Sequence, residues 1–464
     1  MAPSPMVTVL EQSRIAPPPA AVTDTTLRLT FFDLPWLHDP LIHHLFLYEI
    51  RHPKTHFIHS IIPTLKYSLS LTLKHYYPLA GNLILPPLSG KPELRYVHGD
   101  SVSLTFAECG GNFNHLTGNH ARRVVEFHPL VPYLPTATAS SEAIVGPLMA
   151  IRVTLFPNSG ICIGFTFRRV TADGSAFTGF IRSWASVSKL GGDAALVAGG
   201  SLPFYDRSVV EDPNELESTF WAEVGKRKFD GSKFHLQPTE NVLATFVMDP
   251  THVNRLKEHV SAQRLNLSHV SSFTVICAYV WSCVVRARAE SGEEMEENEP
   301  EHFVFGADGR ALLDPPVPAT YFGNCLLRCL ATAKRGQLVG EDGVAIAAKV
   351  IGEAIRGRLR GEEGVLKGAE KWISEFGALK RERVMGVAGS PRFAVYEMDF
   401  GWGRPKKSEV VSVDVTGSIS LNECRDPEAG LEVGLALPKA KMDAFGTIFA
   451  NGLKALQDPN PNME

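Results

Sequence analysis

The stretch that most constrains the fold of this 464-residue chain is GFTFRRVTADGSAF, residues 164–177. An apolar run, Ile161 to Phe167, ends at two adjacent arginines and is followed by a turn at Asp173 and Gly174. Beyond the turn, apolar residues recur every three or four positions, namely Phe177, Phe180, Ile181, Trp184 and Val187. A buried strand that passes through one turn into a helix with an apolar face predicts an α/β protein.

Other segments predict strands and helices in both halves of the chain. MAIRVTLFP and ICIGFTF flank Asn158-Ser159-Gly160, which predicts two strands joined by a tight turn. TLRLTFFDLPWL, residues 26–37, predicts a strand that runs into a loop. Residues 56–76 predict a helix whose apolar face consists of Ile58, Ile61, Ile62, Leu65, Leu69 and Leu73. In the second half, SSFTVICAYVWSCVVRAR predicts a helix, and HFVFGADGR and RFAVYEMDF predict strands.

The segment from Lys189 to Ser208 is rich in glycine and small residues, which is typical of a connection between two halves. Strands and helices do not alternate regularly as in a doubly wound sheet. We therefore expect two α/β domains, residues 1–188 and 209–464, joined by a crossover linker at 189–208. The acidic segment Ser291–His302 is expected to be a solvated loop rather than a site.

Composition and charge exclude several classes of function. The net charge is −4, and no region combines clustered Lys and Arg with aromatic residues, so nucleic acid is not an expected partner. No apolar run reaches the roughly 18 to 20 residues that span a membrane, and residues 1–22 lack the apolar core of a signal peptide. Seven scattered cysteines without a C-x-x-C pattern predict neither disulfides nor a zinc site. We expect a cytoplasmic protein without a metal.

Three segments together resemble those of the plant BAHD acyltransferases. FRRVTADGSAF stands where that family carries H-x-x-x-D-G, and YEMDFGWGRPKK contains an intact D-F-G-W-G. DPPVPATYFGNC is similar to the Y-F-G-N-C segment of the branch that acylates anthocyanins and phenolic glucosides, often with malonyl-CoA. The resemblance extends over essentially the whole chain. It implies a monomer of two chloramphenicol-acetyltransferase-like domains with a channel between them, which acyl-CoA and the acceptor enter from opposite mouths.

The resemblance also implies roles for individual residues. The D-F-G-W-G segment would hold the architecture, with Arg310 in GADGR as the partner of its aspartate; the segment comprises Asp399, Phe400, Gly401, Trp402 and Gly403. Tyr321 and Asn324 are expected in the channel wall, and Arg392 in SPRF as a contact for the phosphates of acyl-CoA. Four histidines are expected to belong to the framework, namely His38, His43, His44 and His75.

The catalytic motif departs from the family pattern. The histidine that would take the acceptor's proton corresponds to Arg169, the histidine before it corresponds to Arg168, and Asp173 is kept. No other histidine in the chain is followed by an aspartate four residues later. Arginine remains protonated at neutral pH and cannot act as the base, whose assistance is typically worth ~10²- to 10⁴-fold in rate. A guanidinium can instead bind a carboxylate or stabilise a departing anion.

Three functions follow from this substitution. Arg168, Arg169 and Asp173 are the candidate catalytic residues of an enzyme that has left hydroxyl acylation, acting on a malonylated small metabolite by loss of the acyl carboxylate with cyclisation or elimination. Alternatively, the protein is a slow malonyl-CoA-dependent acyltransferase, or one that uses an amine acceptor. A third possibility is a non-catalytic protein that binds a metabolite and regulates. An Arg169–Asp173 ion pair with only a structural role is the competing interpretation of the motif.

Overall fold

The computed structural model describes residues 7–86, 90–141, 143–227, 229, 236–237, 239–263, 270–294, 296–361 and 364–456. Its strands, in chain order, are β1 Val7–Ile15, β2 Thr25–Arg28, β3 Ile42–Glu49, β4 Asn82–Leu85, β5 Glu93–Tyr96, β6 Val102–Cys109, β7 Arg122–Arg123, β8 Thr138–Ala139, β9 Ile144–Pro147, β10 Met149–Phe156, β11 Gly160–Phe167, β12 Asn241–Met248, β13 Pro300–Asp308, β14 Leu326–Lys334, β15 Val384–Ala388, β16 Lys407–Val410, β17 Ile419–Glu423 and β18 Leu431–Pro438. Its α-helices are α1 Lys54–His56, α2 Ile62–His75, α3 Phe113–Leu116, α4 Gly174–Leu190, α5 Ala194–Ala198, α6 Leu216–Val224, α7 Pro250–Ala262, α8 Ser272–Glu290, α9 Arg335–Val339, α10 Gly343–Leu359, α11 Trp372–Gly377, α12 Val413–Thr416 and α13 Lys439–Ala455.

These strands form three sheets. The first is six-stranded with the order β1-β6-β10-β11-β3-β16, and the second is seven-stranded with the order β14-β13-β15-β17-β18-β12-β7. A five-stranded sheet has the order β2-β5-β4-β9-β8. Helices α2 and α4 share one apolar core with the six-stranded sheet, and α8, α10 and α13 share another with the seven-stranded sheet. The predicted α/β class with two domains is confirmed.

Two short strands cross between the two large sheets. Strand β7, from the first half of the chain, pairs with β12 in the seven-stranded sheet, Val242 opposite Arg123. Strand β16, from the second half, pairs with β3 in the six-stranded sheet, Lys407 opposite Leu47. Each large sheet is therefore completed by the other half of the chain. The boundary at 189–208 stays a prediction, and the structure places α5 within that segment.

The strand–turn–helix unit of residues 149–190 is confirmed. Strands β10 and β11 pair antiparallel from Met149 opposite Phe167 to Phe156 opposite Gly160. Asn158 in the turn has φ +55°, a left-handed conformation that asparagine tolerates better than most residues. The predicted apolar face of α4 is buried throughout. These elements position the two arginines, because Arg168 directly follows the last residue of β11.

Two predictions of local structure are wrong. Ile58 is 37% exposed, since residues Phe57–Ile61 form a π-helical turn, and its wider hydrogen-bonding step shifts the buried position to Phe57. The predicted strand RFAVYEMDF is absent: Pro391–Phe393 and Val395–Glu397 are 3₁₀ turns. Between them Ala394 has φ +48°, which an extended strand does not allow. Four apolar residues of this segment are nevertheless buried, namely Val395, Tyr396, Met398 and Phe400.

The acidic segment Ser291–His302 is not simply solvated, although its residue 295 lies outside the described residues. Glu301 is buried and accepts hydrogen bonds from Arg335 at 3.0 Å and Arg288 at 3.1 Å. Glu293 pairs with Arg335 at 2.7 Å and Glu299 with Arg383 at 2.9 Å. The prediction was wrong for these three glutamates because Arg335 and Arg383, which pair with them, lie at least 34 residues further along the chain.

All seven cysteines are buried and unbridged. In the described part of the chain, no helix combines the length and apolar character that crossing a membrane requires.

A buried ion pair ties the exchanged strands together and supplies a first test. Arg122 Nη1 on β7 lies 2.7 Å from Glu409 Oε1 on β16, and both side chains are almost completely buried. Arg122→Met would leave Glu409 as an unpaired buried charge, so we expect stability to fall by about 3–5 kcal/mol. The exposed Lys439–Asp443 pair is the control, and Lys439→Met should cost less than about 0.5 kcal/mol. Urea denaturation followed by fluorescence measures both, and similar midpoints for the two variants would contradict this account.

Candidate active site

The arginine motif is a turn fixed at both ends by hydrogen bonds. At its start, the Arg168 amide donates to Leu148 O at 3.0 Å, and the Thr171 amide donates to Arg168 O at 3.0 Å. At its end, Asp173 caps helix α4, because its Oδ1 accepts the amide of Ala176 at 3.0 Å. The two guanidinium groups therefore emerge between the last strand residue and a capped helix.

Asp173 is the centre of a buried ion pair between the two halves of the chain. Its Oδ2 lies 2.9 Å from Arg310 Nη1, and its Oδ1 accepts from Arg310 Nη2 at 3.1 Å. The amide of Cys325 donates to Oδ2 at 3.1 Å. Arg310 therefore does not pair with Asp399, as the resemblance had led us to expect. That prediction is wrong because the D-F-G-W-G aspartate lies near a different cation.

Arg169 is held by neutral oxygen atoms rather than by a carboxylate. Its Nη1 donates to Ala172 O at 3.0 Å and to the side-chain oxygen of Asn324. Its guanidinium carbon lies 4.0 Å from the centre of the Trp36 ring, which is within cation–π range. Within the described residues it forms no ion pair, so the structural Arg169–Asp173 pair is wrong. The cation is positioned, and its charge is not neutralised by direct contact.

Burial acts on the pKa of both arginines. It lowers the pKa of Arg168 to about 10, which leaves that guanidinium protonated at neutral pH. Burial also lowers the pKa of Arg169, and the negative charges of Asp173, Asp39 and Asp33 oppose this effect. Arg168 is buried, its Nε donates to Pro147 O at 2.9 Å, and its guanidinium lies 5.3 Å from the Phe229 ring. Neither side chain is suited to accept a proton.

Asn324 connects Arg169 to a second buried carboxylate. Its Nδ2 donates to Asp33 Oδ1 at 3.0 Å and to Val170 O at 3.1 Å, and its amide also donates to Asp33 Oδ1 at 2.9 Å. These donations leave the side-chain oxygen of Asn324 to accept from Arg169. Asn324 is completely buried, and its position in a channel wall stays a prediction. Asp33 and Trp36, which lie together in FFDLPWL, were not among the predicted site residues.

Tyr321 lies in the same network rather than against Arg169. Its hydroxyl accepts a hydrogen bond from Arg207 Nη1 at 2.5 Å, and Arg207 also lies 3.4 Å from Asp33. Burial raises the pKa of the Tyr321 phenol to about 12. Its carbonyl oxygen accepts from Arg310 at 3.0 Å. Tyr321 therefore links the Asp173–Arg310 pair to the Asp33 network.

The D-F-G-W-G loop lies at the other end of α4. Asp399 Oδ1 accepts the amides of Gly401 and Gly403, each at 2.8 Å, and its Oδ2 accepts Lys189 Nζ at 2.7 Å. Phe400 and Trp402 pack on the Tyr48 ring, at 5.9 and 5.5 Å. Lys189 is sixteen residues beyond Asp173, so the loop and the arginine turn are roughly 24 Å apart along the helix. This position is consistent with an architectural role.

Arg392 is exposed in the short 3₁₀ turn Pro391–Phe393. The neighbouring Phe393 packs against the start of α4, where a Cβ on Gly174 would come within 2.6 Å of its ring. No hydrogen bond of the Arg392 side chain is formed with the described residues, and its role toward acyl-CoA stays a prediction.

The described residues also contain no group of three His, Cys, Asp or Glu side chains that could hold a metal ion.

The two aspartates of the motif segments should differ in their effect on stability. Asp173→Asn keeps a good helix cap but leaves the buried Arg310 with only the half-exposed Asp308 as a carboxylate partner, at 3.0 Å, so we expect a loss of about 3 kcal/mol, the lower end of the range for a broken buried pair. Asp173→Ala also removes the cap and should cost about 1 kcal/mol more. Asp399→Asn breaks a pair whose Lys189 partner is half exposed, and its loss should be smaller. Denaturation midpoints measure these losses of stability. A larger loss for Asp399→Asn than for Asp173→Asn would contradict the assignment of Arg310 to Asp173.

Comparisons with known proteins agree with this fold. A family model described as the Transferase family matches residues 5–450. The chain is 42% identical over 455 residues to the malonyl-coenzyme A:anthocyanin 3-O-glucoside-6''-O-malonyltransferase of Dahlia pinnata, covering 97% of this chain and 98% of that protein. It is 43% identical over 455 residues to phenolic glucoside malonyltransferase 1 of Nicotiana tabacum, covering 97% and 100%.

Among solved structures, vinorine synthase superposes with a TM-score of 0.69 over 95% of this chain and 96% of that one. The sequence identity is 17%, so this likeness establishes the fold alone. The family model and the relatives carry the assignment further. The protein belongs to the transferase family of plant BAHD acyltransferases.

Proposed function

We propose that this protein acts on a malonylated small metabolite of plant specialised metabolism and releases the malonyl group as malonate. The observation that carries the proposal is Arg169, a cation stacked 4.0 Å from Trp36 and held by the oxygens of Asn324 and Ala172. It stands at the position that the resemblance gives to the base. A positioned guanidinium without a bound carboxylate suits an anionic ligand.

The proposed reaction breaks the C–O bond between the metabolite and the ester oxygen, and the electron pair leaves with malonate. In the cyclising form, an internal amine supplies the electron pair for the new bond, and a tertiary amine needs no deprotonation. In the eliminating form, a neighbouring C–H proton passes to a base and its electron pair forms the double bond. No oxidant or reductant is required. Malonate departs with two negative charges, and Arg168 and Arg169 supply two positive charges beside it.

The relatives support a second candidate, malonyl-CoA-dependent acyl transfer. Two proteins that match almost the whole chain carry the name malonyltransferase. In this case Arg392 would contact the phosphates of malonyl-CoA, and the acceptor would be an amine or a slowly reacting hydroxyl.

We also propose that the protein is a cytoplasmic monomer; the unbridged cysteines suit a reducing compartment.

One experiment separates the two candidates. A panel of amine-bearing and glucosylated metabolites is incubated with the protein as free alcohols and as malonate half-esters, with and without malonyl-CoA, and followed by mass spectrometry. We expect only the half-esters to be consumed, without CoA, to products that have lost malonic acid. Arg169→Ala should lower the rate by about 10²- to 10³-fold, the usual effect of losing a donor to a developing anion.

The matched control is Arg404→Ala, which removes an exposed arginine paired with Glu397 and should leave the rate unchanged. Consumption of the free alcohols only, with malonyl-CoA, would favour the second candidate. Equal rates for Arg169→Ala and the parent would overturn the role of the guanidinium.

Restoring histidine at both motif positions tests the same substitution in the opposite direction. The double variant Arg168→His/Arg169→His regains a side chain that can accept a proton near neutral pH. We expect acylation of a glucoside hydroxyl by malonyl-CoA to rise by about 10²-fold or more. CoA release measures this, and the single variant Arg168→His is the control because it keeps Arg169. If neither variant gains activity, the motif arginines are not what prevents acylation.

A further inference from the structure

Three carboxylates act on the charge of Arg169, and two of them are saturated. Asp173 accepts hydrogen bonds from Arg310, Cys325 and Ala176. Asp33 accepts from the amide and hydroxyl of Thr30, at 2.9 and 3.0 Å, as well as from both nitrogens of Asn324. Their lone pairs are already used, so neither is available to a ligand.

The third carboxylate, Asp39, differs from both. It follows the 3₁₀ turn Leu34–Trp36, and its amide donates to Trp36 O at 3.3 Å. Its side chain is partly buried, yet it forms no hydrogen bond or ion pair with any residue in the described ranges. Partial burial of a carboxylate without a protein partner carries a desolvation cost, which makes Asp39 a candidate functional group.

The surroundings of Asp39 are cationic and belong to the arginine site. The Trp36 ring lies 4.0 Å from the Arg169 guanidinium and 5.0 Å from that of Arg328, which also lies 4.1 Å from the Phe376 ring. The charged and titratable groups that face Asp39 are Arg328, Arg169, Arg381 and His38. None of them closes a direct pair with it. Asp39 and Arg169 therefore lie near the same tryptophan. The Arg169 guanidinium is held by hydrogen bonds, whereas the Asp39 carboxylate has no partner in the described ranges.

We propose that Asp39 is the proton acceptor of this site. The role rests on the proposed function: in the eliminating reaction the C–H proton passes to a carboxylate oxygen of Asp39, as the C–O bond breaks and malonate leaves. In cyclisation by a primary or secondary amine, the N–H proton takes the same path. In acyl transfer from malonyl-CoA, the acceptor's proton would pass to Asp39 as the acceptor oxygen or nitrogen bonds to the malonyl carbonyl carbon, and the C–S bond breaks with its electron pair leaving on the CoA sulfur. The substrate is thus a molecule that carries an acidic C–H, N–H or O–H group beside its ester or acceptor position.

The electrostatics suit this role. Burial raises the pKa of Asp39 in spite of the neighbouring positive charges of Arg328 and Arg169. A carboxylate with a raised pKa binds a proton more readily than an ordinary aspartate. The ionised form is needed for catalysis, so activity should rise as the pH rises through this raised pKa.

The first test does not depend on activity. The folded protein is treated with a carbodiimide and glycinamide at mildly acidic pH, then denatured and digested with trypsin. Residues 29–51 form one tryptic peptide that contains Asp33, Asp39 and Glu49. Mass spectrometry should find label on Asp39 and on the exposed Glu49, and none on the hydrogen-bonded Asp33. Absence of label on Asp39 would overturn the proposal, because an acceptor must be open to small molecules.

The second test uses Asp39→Asn, Asp39→Glu and the surface control Asp443→Asn. For a conversion in which the substrate loses a C–H, N–H or O–H proton, we expect Asp39→Asn to lower kcat by about 10²-fold or more, with KM changed far less, and to remove the acid limb of the pH profile. A parent that converts only substrates with no proton to lose, such as tertiary amines, would overturn the proposal. Asp39→Glu should retain part of the rate and keep an acid limb. Activity of Asp39→Asn within about threefold of the parent, or an unchanged acid limb, would overturn the proposal.

Stability gives a third, independent readout. The folded-state pKa of Asp39 is raised, so its ionised form destabilises the fold at neutral pH, and this effect disappears below the ordinary aspartate pKa. Asp39→Asn should therefore raise the thermal midpoint at neutral pH, and a lowered midpoint would identify Asp39 as structural. If the parent converts no substrate, the proposed function fails, whereas labelling and stability still decide the state of Asp39.

Discussion

The arrangement of the site depends on the buried pair between Asp173 and Arg310. Asp173 belongs to the turn after β11 and Arg310 follows β13, so the pair joins the two halves of the chain at one point. The same carboxylate caps α4 and accepts the amide of Cys325. These contacts hold the turn that carries Arg168 and Arg169, and they hold the segment with Asn324 against it. The reacting region is therefore ordered by a group that takes no part in the proposed chemistry.

Two arginines in this region show how different partners produce different properties. Arg310 is neutralised by a carboxylate in direct contact, so its charge contributes mainly to structure. Arg169 is held by an amide oxygen, a backbone carbonyl and the face of Trp36, none of which carries a full negative charge. Its orientation is fixed while its charge remains available to a ligand. Such a fixed cation needs no reorganisation when negative charge develops beside it.

The sequence was informative where a residue's role follows from its near neighbours. The hairpin β10–β11 and helix α4 could be predicted because apolar runs on both sides of a turn signal are typical of buried strands, and an amphipathic helix imposes a period of 3.6 residues. The segment Arg392–Phe400 was predicted as a strand, since its residue types carry no information about the positive φ of Ala394. Pairings between distant segments could not be predicted from the sequence. Arg310 lies 137 residues from Asp173, and the neutral acceptors of Arg169 could not be inferred from its flanking residues. Asp39 was missed for the same reason, because its significance lies in the partners that it lacks.

The exchange of β7 and β16 has a consequence for how the chain is made. On a ribosome the first half emerges first, and domains generally fold in that order. Here the edge of the six-stranded sheet at β3 stays uncovered until residues 407–410 have left the exit tunnel, late in synthesis. An uncovered strand edge invites pairing with other chains. The nascent first half must therefore persist as an incomplete intermediate, and the two halves reach their final sheets together rather than one after the other.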